Sequence, residues 1–190
     1  MDENTFFREA TKRICGTLDI GQALWQLLLY VRDFVPVEVM FITVYDSGLG
    51  IVETIAMADY EGGQETSIKT TLPFASRSAL SMEESLMPQA AIEPFFKITD
   101  RMRDSIIFKP FSEVICMPDA PALLIQRRME GHSIGNLVVT NRSGVKYSEE
   151  NARLLALLND PSAIAISNYM RLREVLRLKD LLAEDNQFLC

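Results

Sequence analysis

Apolar residues at spacings of three and four open the chain. In ENTFFREATKRIC, Phe6, Phe7, Ala10 and Ile14 share one face, which predicts a helix. TLD interrupts the pattern, and Asp19 is placed to cap a second helix, with Gln22 three residues on to complete a capping box. IGQALWQLLLYVRDFV carries Leu24, Leu27, Leu28 and Val31 as a stripe that Trp25 and Leu29 widen. This helix is therefore expected to bury more than one side, and Pro36 to end it.

The period then falls from 3.6 to 2. In VEVMFITVYD, Val37, Val39, Phe41 and Tyr45 alternate with Met40, Ile42 and Val44. Both faces are apolar, which places this strand in the middle of a sheet covered on both sides. SGLG is turn chemistry, IVETIAMAD is the returning strand, and TSIKTTL is a weaker third strand. From Pro73 to about Pro121 the pattern is irregular. FASRSALSMEESLM predicts a short helix, AIEPFFKI an edge strand on account of Pro94, and DRMRDSIIFKPF a second short helix.

Regularity returns with PALLIQRRMEGHSIGNLVVTNR, two apolar runs around a turn at Gly131, which reads as an antiparallel hairpin. Ser148 then starts a long helical run. Pro161 is expected to kink or split it, because proline lacks a backbone donor and clashes with the preceding turn. Asn159 and Asp160 are placed to cap the second segment. Helices thus bracket an antiparallel sheet, an α+β architecture. The expected division is a domain over residues 1–160 and a helical linker over 161–190.

The chain has 190 residues, 48% of them hydrophobic, enough for one sizeable core. The formal net charge of −7 disfavours direct contact with nucleic acid or an anionic membrane. The longest apolar run, ALWQLLLYV, is too short to span a bilayer, and MDENTFFREATKR is unlike a signal peptide. A cytoplasmic location is expected. Cys15, Cys116 and Cys190 are widely spaced and odd in number, so they form neither a disulfide framework nor a CxxC site. His132 is the sole histidine, which leaves no basis for a histidine-rich zinc site.

Catalytic motifs do not appear: there is no P-loop, GxSxG or HExxH, and no GxGxxG after a strand. His132 falls in a predicted turn, and Cys116 has no positioned base. No catalytic residue is therefore assigned. The irregular middle does combine aromatics with cations. Phe74, Phe96 and Phe108, with Phe95, supply apolar wall; Arg77, Lys97 and Arg101, with Arg103 and Lys109, supply positive charge. A few charges in an apolar cavity select small anions. The plainer reading makes the phenylalanines core and the cations solvent-facing. Asp100, Asp104, Cys116 and Asp119 fall in the same region and are the alternative, a ligand set for non-haem iron. The cofactor stays unknown: a small-molecule ligand is expected, and a metal is the alternative.

Near the C-terminus, Leu172, Val175, Leu176, Leu178, Leu181 and Leu182 leave a broad apolar surface. Val175, Leu182 and Leu189 recur every seven residues, and Asn168 lies one heptad earlier, a spacing suited to a dimer seam. Leu172, Val175, Leu178 and Leu182 are its expected contacts, in a homodimer whose first and last helices form a parallel bundle. The alternative is a terminal helix that folds back on its own domain.

The strand VEVMFITVYD, the hairpin LLIQRRMEGHSIGNLVV and the following YSEENARLLALL resemble the GAF domain family. In that family the xGxxxGxLxV element, here Gly131, Gly135, Leu137 and Val139, is a structural hairpin. SAIAISNYMRLREVLRLKDLLAEDNQFL is similar to the linker that joins an N-terminal GAF domain to an AAA+ ATPase in bacterial sigma-54-dependent transcriptional activators. The resemblance implies a sensory piece that binds a small-molecule effector and signals through its last helix. Its AAA+ and DNA-binding partners would lie in the same full-length chain. Some relatives sense nitric oxide through iron and others reduce methionine sulfoxide with cysteines, so a gas sensor and a redox enzyme are the alternatives. A pure dimerisation domain is the third.

Overall fold

The computed structural model describes residues 2–86, 95–129 and 132–188. Helix α1 spans Glu3–Ile14 and buries Phe6, Ala10 and Ile14, as the spacing predicts, whereas Phe7, expected on the same face, points to solvent because it lies one residue off that stripe. Helix α2 spans Ile20–Val31, and the Asp19 side chain accepts from the Gln22 N–H at 2.9 Å. The expected reciprocal bond of a capping box is not made, because the Asp19 N–H donates to Thr17 Oγ1 instead. Pro36 does not end this helix. It stops at Val31, where the Val31 carbonyl turns to accept from Phe34 and Val35 in a tight turn.

The strands are β1 (Val39–Asp46), β2 (Ile51–Ala58), β3 (Gly63–Thr71), β4 (Phe96–Thr99), β5 (Ala122–Met129) and β6 (His132–Thr140). They form one six-stranded sheet in the order β3-β2-β1-β6-β5-β4, and every pair is antiparallel. β1 is central, as its two apolar faces require. Helix α3 spans Phe74–Leu86, α4 Lys109–Val114, α5 Glu149–Ala156 and α6 Asn159–Phe188. The single short helix expected over DRMRDSIIFKPF is instead a 3-10 turn, Met102–Asp104, followed by α4. Pro110 accounts for the restart, since proline is accommodated in a first helical turn.

Period-two alternation sorts the core into two layers. Met40 and Ile42 of β1, Leu123 and Ile125 of β5, and Leu137 and Val139 of β6 face α1, α2, α5 and the first half of α6. Val39 and Phe41, with Leu124 and Val138, face the other way, against Met102, Ile107, Phe108 and Phe111. A bulge in β2 leaves Ile55 without a partner in β1, so Ile55 and Ala56 both enter the first layer. Gly135 follows a second bulge, in the β5–β6 hairpin. A Cβ there would stand 2.8 Å from the Thr43 carbonyl oxygen, so the close strand approach requires glycine. Gly131, Pro94 and Leu189, which the sequence reading singled out, lie outside the described residues. His132 is the first residue of β6, paired with Met129, rather than a turn residue.

Ser148 caps α5 with a full capping box to Asn151. The long helical run does split, but ahead of Pro161. α5 ends at Ala156 and α6 begins at Asn159, so Pro161 sits in the first turn of α6. A first-turn N–H has no intrahelical acceptor, so proline costs little there and produces no kink. Asn159 and Asp160 are already helical. The Leu158 carbonyl accepts the first α6 bond, from Ser162, so neither residue serves as the cap. The first part of α6 packs on the domain through Ala163, Ile166 and Tyr169, so the packed unit runs past the expected boundary at 160. No described helix is long and apolar enough to cross a membrane.

Candidate functional site

The segment expected to wall a ligand contributes in part to the second layer of the core. Phe108 is fully buried, and Phe111 packs against Phe41 with ring centroids 6.3 Å apart. Phe108 is therefore core. Phe74 stands 77% exposed at the start of α3. One turn on, the Arg77 side chain lies against Gly50 in the β1–β2 turn. β4 pairs Phe96 with Ile125 and Lys97 with Leu124. Ile125 belongs to the first layer and Leu124 to the second, so adjacent Phe96 and Lys97 face opposite sides of the sheet. Arg101 pairs with Asp104 at 2.7 Å on the surface. Of the six, Phe96 stands apart on the first-layer face of the sheet, because strand alternation turns it away from Lys97.

The candidate metal ligands are engaged by other partners. Asp100 is held by Lys146 at 2.5 Å, Asp104 by Arg101 and Asp119 by Arg103. Cys116 is exposed, with φ +54°. It follows α4, and the next residue's N–H returns to the Ser112 carbonyl at 3.1 Å. That bond and the left-handed residue make a Schellman ending, which explains Cys116 as a helix terminator. Among the described residues, no group of three or more His, Cys, Asp or Glu side chains is arranged to hold a metal ion.

A cleft of about 310 Å³ opens elsewhere, at the end of the β2–β3 hairpin. Val39, Met57 and Ala58 supply apolar lining; Asp59, Glu61, Gly62, Gly63 and Gln64 supply polar groups. The loop at its rim is organised from within. The Asp59 N–H donates to the Gly62 carbonyl at 2.9 Å, and the Asp59 carboxylate accepts from the Glu61 N–H at 2.8 Å. The lining thus combines apolar side chains with two acidic residues, a composition that favours a small molecule carrying a positive group over an anion. Sequence reasoning passed over these residues because ADYEGGQ reads as an ordinary turn. The signal available was its Asp and paired glycines next to an apolar strand end.

Helix α6 runs for 30 residues and changes character along its length. Ile166 and Tyr169 are buried. The Tyr169 hydroxyl donates to Glu65 at 2.6 Å, and Arg173 pairs with Glu53 at 2.8 Å. Ser67 donates to the same Glu53 oxygen at 2.7 Å. Burial opposes the ionised form of Glu53, but the hydrogen bonds from Arg173 and Ser67 outweigh it and hold its carboxyl below the usual range. Burial and the adjacent Glu65 carboxylate push the Tyr169 hydroxyl well above the usual tyrosine range, so it stays a donor. From Glu174 to Ala183 every side chain is exposed. Of the expected seam residues, Val175, Leu178 and Leu182 lie along this stretch and Leu172 just before it, and the four are 38% to 64% exposed. Among the described side chains, those after Arg173 do not pack on the domain. Residues 174–188 carry the helix about 22 Å further, at ~1.5 Å per residue.

No family model matches the chain, and no curated protein matches it. Solved structures do. The GAF domain of a phosphoenolpyruvate-protein phosphotransferase from Coxiella burnetii is 14% identical with a TM-score of 0.59, covering 92% of this chain and 96% of that one. The phycoerythrobilin-bound GAF domain of a cyanobacterial phytochrome is 13% identical with a TM-score of 0.58, covering 91% and 98%. Residues 122 to 287 of a methyl-accepting chemotaxis protein are 14% identical with a TM-score of 0.57, covering 86% and 98%. At such identities the likeness is one of fold, and that fold is the GAF fold.

Proposed function

We propose that this chain is a small-molecule-sensing regulatory domain that passes its state onward through α6. One observation carries the reading: α6 leaves the domain at Arg173 and continues with an exposed apolar stripe that no part of the described domain covers. A helix of this kind has a use when it pairs with another helix and connects to something else. The GAF fold supports the sensing half, since several neighbours of this fold are parts of signalling proteins by their descriptions. The similarity of the α6 sequence to the linker of sigma-54-dependent activators supports a finer reading. In it, the domain is a homodimer that controls an AAA+ ATPase and a DNA-binding domain of the same full-length chain, as a binding module rather than an enzyme.

The direct test is native mass spectrometry of the freshly purified protein, followed by thermal-shift screening of small amines, acids and metal ions. A retained molecule, or one that raises Tm in proportion to its concentration, is the expected result. Substrate turnover that Cys116→Ser abolishes would replace this reading with the redox alternative. The regulatory half is tested in the full-length protein, where the ligand should change ATP hydrolysis and transcription from a sigma-54-dependent promoter.

A further inference from the structure

The two polar contacts at the end of the packed part of α6 reach one structural unit. Glu65 lies on β3 and Glu53 on β2, the two outermost strands at one end of the sheet. As the edge strand, β3 is hydrogen-bonded to a neighbouring strand on one side only, so a displacement of its free side does not have to break a second ladder. Deeper in the domain, α6 is held by buried apolar side chains such as Ile166. At Tyr169, whose ring is itself buried, and at the more exposed Arg173 it is also held by a hydrogen bond and an ion pair to carboxylates nearer solvent. Such contacts exchange readily with water, whereas buried apolar packing does not.

The opposite side of the same hairpin borders the cleft. Met57 pairs with Gln64 across β2 and β3, and both line the cleft. Ala56 pairs with Glu65 one step along. Successive strand residues point to opposite faces, so Gln64 faces the cleft while Glu65 faces α6. A movement of the β3 end that widens the cleft must carry Glu65 with it.

From this placement we propose that Tyr169–Glu65 and Arg173–Glu53 form a releasable latch, by which the cleft end of the β2–β3 hairpin sets the direction of the outgoing half of α6. The signalling use of the latch rests on the sensing reading above; the mechanical coupling does not. An occupant between Met57 and Gln64 displaces β3, strains or releases the latch, and lets α6 pivot about its buried anchor at Ile166. Two copies paired along the exposed stripe would then present the ends of α6 differently.

The coupling is tested without any ligand. In a background with the native cysteines replaced, spin labels go on Ser47, in the exposed β1–β2 turn, and on Lys179, in the outgoing helix. Labelled protein is diluted with unlabelled protein so that distances within one protomer are read. Breaking the latch with Tyr169→Phe and Arg173→Met is expected to broaden the distance distribution, and Arg173→Lys to keep it narrow. Gln64→Trp mimics an occupant of the cleft; Met57→Trp serves as a second probe if the first misfolds. With the latch intact, the tryptophan is expected to shift the mean distance; with the latch broken, that shift should vanish. An unchanged distribution in the latch-broken protein overturns the proposal. So does a tryptophan-induced shift that survives undiminished without the latch, or its absence with the latch intact. Ligand retention enters none of these outcomes, so failure here is distinct from failure of the sensing reading.

Discussion

Gly21 of α2 rests directly on the backbone of Gln64 in β3: a Cβ at Gly21 would stand 2.5 Å from the Gln64 carbonyl carbon. The contact is reciprocal, since a Cβ on neighbouring Gly63 would lie 2.7 Å from Trp25 Cβ. Two glycines thus let the helix lie on the edge strand at backbone distance. Neither obstacle is a flexible side-chain tip, so an added methyl has to move the helix or the strand. Gly21→Ala and Gly63→Ala are each expected to destabilise by about 1–3 kcal/mol, the range for overpacking. Urea denaturation checks this, and a loss below 0.5 kcal/mol in both, roughly the background of neutral surface changes, would contradict the close contact.

Cys116 occupies a backbone position that favours glycine. Its φ of +54° follows α4 and supports the bond from the Met117 N–H to the Ser112 carbonyl. A non-glycine residue in this conformation costs roughly 1–2 kcal/mol. Glycine loses part of that gain through its own backbone entropy. Cys116→Gly is expected to stabilise by about 0.5–1 kcal/mol, readable as a rise in Tm. A residue serving only to end a helix predicts that gain; a clear loss of stability would assign the thiol a packing role instead.

Glu53 makes stability depend on acidity. Its carboxyl is held below the ordinary glutamate value of 4.5, with burial opposed and outweighed by Arg173 and Ser67. A depressed folded-state pKa gives a contribution that is complete above the unfolded value and disappears as pH falls through the folded value. Arg173 is partly exposed, so solvent screening keeps the contribution to about 0.5–1 kcal/mol. Glu53→Gln is expected to be less stable than the parent by that amount at pH 7 and equal to it near pH 3. Parallel urea titrations at the two pH values measure the difference, and a gap that persists in acid would point to a cause other than ionisation.

The exposed stripe on α6 predicts assembly. Val175 and Leu182 are 60% and 64% exposed and lie one heptad apart. If two copies pair there, Val175→Asp with Leu182→Asp places unpaired charges at the seam. Light scattering should then report monomers for the double variant and dimers for the parent, with far-ultraviolet circular dichroism little changed. Monomers in both would leave the stripe for another partner.

Local pattern was enough for most of the scaffold. The stripe of Phe6, Ala10 and Ile14, the Asp19 and Ser148 caps and the two-faced strand around Phe41 are decided by residues within a few positions of one another. Helix period, cap geometry and strand alternation are short-range properties, so they can be read from the chain. The seven-residue recurrence in α6 was legible for the same reason.

What required the tertiary structure was everything that depends on which face meets which. Phe96 and Lys97 are neighbours in the chain, and only the register of β4 against β5 sends them to opposite layers. Asp100, Asp104 and Asp119 cluster in sequence, yet each is engaged by a different cation. Pro161 looks like a break in a helix until the packing of Leu158 moves the break upstream and leaves the proline in a first turn. The latch joins residues more than a hundred positions apart, and the cleft lies at a turn whose sequence is ordinary. Those contacts arise from sheet order and helix docking, which sum many weak long-range interactions, so no local stretch of sequence encodes them alone.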